Sequence, residues 1–155
     1  IYLNNQLHHG MVHPEAGHIL LSKHKNDSYE GKCPYHRTCL EGLAAGPAIE
    51  ERWGAKAIDL KEKAEVWDLE AFYLAQAIVN YIVILSPQKV ILGGGVMHQE
   101  QLFPLIRNYV VELLAGYINS KEIEDIDNYI VGASLNDDQG IMGCLQLGKL
   151  ASVNV

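Results

Sequence analysis

Cys33, His36 and Cys39 stand in "CPYHRTC" with C-x2-H-x2-C spacing. Two thiols and an imidazole so spaced can converge on one tetrahedral ion at about 2.0 to 2.3 Å. His18, upstream of this loop, is the expected fourth donor, with His13, His24 and Tyr35 as weaker alternatives. Two thiolates favour zinc over magnesium or calcium. Four protein ligands leave no open position, so the ion is expected to be structural and not itself the catalyst. Glu15 and Glu41 bracket the cluster. A metal that pins both ends of the loop, about 13–42, also fixes these two carboxylates near each other. Rigidly held acceptor-only groups suit hydroxyl-rich ligands such as sugars.

A second stretch, "VILGGGV", sets Gly93, Gly94 and Gly95 at the end of an apolar run. Glycines there let the backbone pass close to a nucleotide or phosphate, with help from the N-terminus of an ensuing helix. The pattern is neither a Walker loop nor a G-x-G-x-x-G fingerprint, so tight packing alone also explains it. Cys144 falls in an apolar helical pattern and is expected in the core, not on a metal.

The elements that must position these residues follow from periodicity. "IYLNNQLHHG" alternates around Asn4-Asn5, a pair that tolerates positive φ, which predicts a hairpin. "HILLSKH" reads as another short strand, and residues 26–39 as an aperiodic loop that needs outside fixation. "CLEGLAAGPAIEERWG" is helical, with a break at Gly46-Pro47. Trp67 to Leu85 forms a long, well-buried helix stopped by Pro87. "KVIL" then gives a buried strand, "QEQLFPLIRNYVVELLAG" a helix, "NYIVGASL" a strand and "DQGIMGCLQLGKL" a closing helix. This alternation argues for an α/β layered fold with a parallel pair of central strands.

Bulk properties narrow the function. The 155 residues suit one compact domain. A net charge of −7 without a Lys/Arg cluster opposes nucleic-acid binding. The longest apolar run, Ala77 to Leu85, is interrupted by Asn80 and is too short to span a bilayer, so no membrane segment is expected. An odd cysteine count with two in a metal-like cluster points to a reducing, cytoplasmic setting. The opening "IYLNNQL" reads as the middle of a hairpin, so the chain is expected to be part of something longer.

The motifs "HPEAGH", "CPYHRTCLEG", "AAGPAIEERWG", "VILGGGV" and "GASLNDDQGIMGCLQLG", in that order, resemble the ROK family of sugar kinases and repressors, most closely its bacterial fructokinase branch. The resemblance implies the large domain of an actin-like, ribonuclease-H-like kinase, usually a homodimer, with a zinc-binding loop. It implies zinc on His18, Cys33, His36 and Cys39, with His36 standing where many members carry a cysteine. Glu15, His18 and Glu41 would face a hexose, and Gly93, Gly94 and Gly95 the adenosine part of ATP, used with Mg2+. Asp137 and Asp138 match the family's acidic pair; a helix-capping role is expected for them. The phosphate loop and catalytic aspartate of the family lie upstream of the zinc region and are not found in these residues. The expectation is therefore the C-terminal part of an ATP-dependent fructokinase, inactive alone, with the sugar-sensing domain of a ROK repressor as the alternative.

Overall fold

A computed structural model describes residues 1–135 and 137–153; Asn136 of the last motif lies outside them. The chain opens with a hairpin, β1 (Tyr2–Leu3) paired antiparallel to β2 (Gln6–Leu7). Asn4 and Asn5 take φ of 51° and 60°, the left-handed pair that a two-residue turn requires. A single 3-10 turn follows at Ala16–His18.

The predicted strand over "HILLSKH" does not form. Residues 19–24 are extended but meet the chain only at an isolated bridge, Leu20 to Cys39. Leu21 N–H and the Ile19 carbonyl bond to the backbone of Thr38 and Leu40, while Ser22 and His24 are satisfied by side chains of a helix, so the segment does not extend into a ladder.

Two short helices carry the far side of the loop, α1 (Leu40–Ala44) and α2 (Gly46–Trp53). They are divided at Ala45, whose ψ of 154° is extended. Pro47 enforces the division, because in one continuous helix its ring would meet the Leu43 carbonyl and it has no N–H to donate. Gly54 ends α2 in the left-handed region, at φ 68°.

Helix α3 runs from Ala64 to Leu85, three residues earlier than the periodicity indicated. Ser86, at φ 45°, turns the chain out, and Pro87 prevents a further turn. By length and composition α3 could cross a membrane, with a mean hydropathy of 1.4. Its buried residues, however, divide between two apolar clusters, as in a core helix. Val66, Trp67, Ala71, Ala75, Ile78 and Ile82 pack with Ile106, Val110, Leu114 and Ile130. Tyr73 and Ala77 pack with Leu21, Leu43 and Ala44 under the metal loop. The helix is thus a beam packed on two sides, and removal of its larger apolar side chains from water contributes about 1.5 to 3 kcal/mol each.

Strand β3 (Val90–Leu92) pairs in parallel with β4 (Ile130–Gly132), Val90 opposite Ile130, as the strand–helix alternation predicted. The connection runs through α4 (Leu102–Leu114), α5 (Lys121–Glu124) and α6 (Ile126–Tyr129). α4 lies against α3 and closes the larger cluster. β3 is not the buried strand expected: Ile91 is 65% exposed, because alternation turns it away from the α3–α4 layer.

α7 (Gln139–Val153) closes the described chain. Cys144 is exposed on it, contrary to the core position that its pattern suggested, because the apolar residues Ile141, Leu145 and Leu147 around it are exposed as well.

Candidate functional site

The loop between residues 18 and 39 gathers four donors. The ligand atoms of His18, Cys33, His36 and Cys39 all lie within 4.8 Å of one another. His18 Nδ1 is 3.6 Å from Cys39 Sγ and 3.8 Å from Cys33 Sγ, and His36 Nδ1 is 3.9 Å from Cys33 Sγ. Tetrahedral nitrogen and sulfur ligands of one zinc ion stand about 3.6 Å apart. The donor set is of a kind and spacing that could hold one such ion, and His18 is drawn into it ahead of His13, His24 and Tyr35.

Local backbone explains the convergence. Arg37 N–H donates to the Cys33 carbonyl at 3.1 Å, which folds the residues between the two cysteines into a tight turn, with Arg37 at φ 55°. Glycine is required twice beneath that turn. Gly31 takes φ 91°, and a Cβ on either Gly31 or Gly42 would overlap the Arg37 carbonyl. The backbone N–H groups of His36 and Tyr35 turn toward Cys33 and pull its thiol down to about 6. Burial pushes the Cys39 thiol up.

His18 has a second role in this geometry. Its Nε2 is 3.4 Å from Glu41 Oε2, so one imidazole faces the donor cluster and the carboxylate at once. A carboxylate on the outer nitrogen fixes the tautomer and ring orientation of a metal-binding histidine. Glu41 also lies over the Gly17 backbone, and Glu15 starts the same turn, its carbonyl accepting from His18 N–H at 3.0 Å. Both glutamates are exposed.

Sequence reasoning missed the side chains that hold this arrangement. Tyr73, Gln76 and Tyr81 share one side of α3 and read the backbone of residues 16–24. Tyr81 Oη donates to the Ala16 carbonyl at 2.6 Å. Gln76 accepts from Ser22 N–H at 3.1 Å and donates to its carbonyl at 3.0 Å. Tyr73 Oη accepts from His24 N–H at 3.1 Å and donates to Asp27 Oδ2 at 2.6 Å. Burial raises the hydroxyl pKa of both tyrosines. Polar groups at helical spacing in an otherwise apolar helix were the available signal.

The glycine turn follows β3, and Val96 just beyond it comes close to Gly46 at the start of α2. Gly93 is there for packing, since a Cβ would stand 3.1 Å from that of Ala133. Gly94, at φ 89°, and Gly95 have open space beside them. Gly93 and Gly94 border a cleft of about 470 Å³ at the ends of β3 and β4, also lined by His98, Phe103, Asp137 and Gln139. A single 3-10 turn, Gly95–His98, follows the glycines where a helix was expected. Asp137 does not cap α7 with its side chain: its Oδ1 lies 3.0 Å from His98 Nε2 across the cleft. The Asp138 carbonyl accepts from Met142 N–H at 2.8 Å, in the position of a helix N-terminus.

The fold and its two sites define an α/β domain that carries a loop with four clustered donors and a glycine-lined cleft. The chain belongs to the ROK family, whose model matches residues 1–150. A protein of Bacillus subtilis (strain 168) is 51% identical over 150 residues, 96% of this chain and 50% of its own. The fructokinase of Pediococcus pentosaceus is 44% identical, over 97% of this chain and 51% of its own. The crystal structure of a ROK hexokinase from Thermus thermophilus matches 91% of the chain and 49% of its own, at a TM-score of 0.72 and 21% identity, which establishes the shared fold. The chain thus spans about half the length of the relatives it matches.

Proposed function

We propose that this chain forms the sugar-facing and nucleotide-facing part of an ATP-dependent hexose kinase of fructokinase type, which transfers the γ-phosphoryl group of Mg-ATP to the 6-hydroxyl of fructose. The carrying observation is the imidazole of His18, held between the Cys33–Cys39 donors and Glu41. A histidine so restrained presents Glu41, and with it Glu15, as fixed acceptors for sugar hydroxyls. Such restraint lowers the entropy lost when a polyol is oriented for in-line attack.

The metal in this reading is zinc, bound by His18, Cys33, His36 and Cys39. Bound there, it supplies charge and rigidity to the loop. Gly94 and Gly95 leave room for the adenosine part of ATP to approach the backbone, and the His98–Asp137 pair borders the same cleft. The enzyme would work in the cytoplasm as a homodimer. Fructokinases 44% and 39% identical to the chain favour this reading over a repressor's sensing domain.

The test is ATP consumption by the complete gene product containing these residues, with fructose, glucose, mannose and N-acetylglucosamine. Fructose-dependent ADP release supports the proposal, and no turnover of any of the four defeats it. Sedimentation of the same preparation checks the dimer.

A further inference from the structure

Beneath the metal loop lies a charged cluster that touches none of the four donors. Asp27 and Arg52 are 4% and 6% exposed, and Arg52 Nη2 is 3.2 Å from Asp27 Oδ2. The Arg52 guanidinium stacks over Tyr29 at 4.7 Å and Tyr73 at 5.4 Å from the ring centroids. Asp27 accepts twice more, from Tyr73 Oη at 2.6 Å and from Tyr29 N–H at 3.0 Å. Removing one partner of a buried pair strands the other charge, so such a pair resists separation of the segments that carry it.

What it fixes is the approach to Cys33. Tyr29 Oη donates to Glu51 at 3.1 Å, and the Lys32 ammonium pairs with the other oxygen of Glu51. Lys32 N–H donates to the Gly42 carbonyl at 2.9 Å. Residues 27–32, the arm leading into Cys33, are thereby keyed to Glu51 and Arg52 of α2. That helix directly follows α1, which begins after Cys39 and carries Glu41. The two arms of the metal turn are locked together at a point away from the ion.

We propose that Asp27 and Arg52 are positioning residues that set the distance between Cys33 and Cys39 before a metal binds. The inference rests on the zinc reading of the four donors. A loop ordered in advance does not have to give up its freedom at the moment of binding, so it holds the ion more tightly. The lock acts through the backbone of residues 27–33.

The experiment is zinc affinity and zinc release rate, measured by competition with a chromophoric chelator, in the complete gene product. The double variant Asp27→Asn/Arg52→Met removes both charges together and leaves neither stranded. It is expected to raise the zinc dissociation constant about tenfold, the lower end for residues that support metal ligands. Arg52→Lys, which keeps a cation beside Asp27, should fall between it and the wild type. Ile106→Val, which destabilises the cluster on the other side of α3, should leave zinc release unchanged. If the double variant does not fold, Tyr73→Phe breaks the same lock more gently and should speed release several-fold. Unchanged zinc affinity and release in the folded lock variants, with a wild type that binds zinc, overturn this proposal alone. A wild type without zinc affinity overturns the metal reading and the proposal with it.

Discussion

The hydroxyl of Tyr81 donates to the carbonyl of Ala16 at 2.6 Å, joining residues 65 positions apart. Ala16 opens the turn that ends in His18, so this hydrogen bond ties the turn carrying the imidazole of the donor cluster to α3. Tyr81→Phe keeps the ring and leaves that carbonyl with only the long bond from Ile19 N–H at 3.4 Å. The expected loss is about 1 to 2 kcal/mol, read as a shift in the urea midpoint with unchanged slope. A midpoint equal to the wild type would show that water replaces the hydroxyl at no loss.

Elemental analysis should find one zinc per chain after purification without chelators. Cys39→Ser, which replaces a soft donor, is expected to lose most of that metal. His36→Cys should retain it, because a thiolate serves equally well at a tetrahedral zinc. Metal-free wild-type protein, or full retention by Cys39→Ser, would refute the four-donor site.

Two glycine substitutions should differ sharply. The methyl of Gly42→Ala would overlap the Arg37 carbonyl, so the turn between the cysteines has to open. Gly95→Ala meets nothing within 4 Å. The first is expected to abolish zinc loading and lower thermal stability by several degrees; the second should leave both within error. Equal behaviour of the two would mean that the turn is not built as described.

Glu70 lies wholly buried on α3, at the seam between the two apolar clusters, and neither of its oxygens finds a hydrogen-bond donor. Burial raises its pKa well above the usual carboxylate value, against the opposing attraction of Arg52. The folded state therefore holds a proton that the unfolded state gives up. This contribution to stability is complete below the ordinary carboxylate range and is lost as pH rises through the raised folded value. Glu70→Gln should accordingly gain on the wild type from pH 4 to pH 8 in parallel urea titrations. A variant that grows less stable relative to the wild type as pH rises would show that Glu70 is ionised and paired with Arg52.

Much of this molecule was legible from residue order alone. The hairpin followed from Asn4-Asn5, the division between α1 and α2 from Pro47, the end of α3 from Pro87, and the parallel strands from the alternation of apolar runs. Each is a local backbone preference, expressed within a few residues. Three of the four donors were visible for the same reason, since Cys33, His36 and Cys39 sit on one short turn, and His18 was named as the fourth over three alternatives that the fold then set aside.

Tertiary structure alone decided the remainder. Residues 19–24 looked like a strand by pattern, yet beyond Leu21 their hydrogen bonds go to Gln76 and Tyr73 of a helix some fifty positions away. Asp137 looked like a cap, yet its carboxylate crosses a cleft to His98. Cys144 and Ile91 looked buried, yet no described layer covers them. Sequence specifies which groups are able to bond and how each short segment bends. Which donor meets which acceptor across a packed interface depends on where long elements settle, and that is fixed by the burial of α3 between two clusters at once.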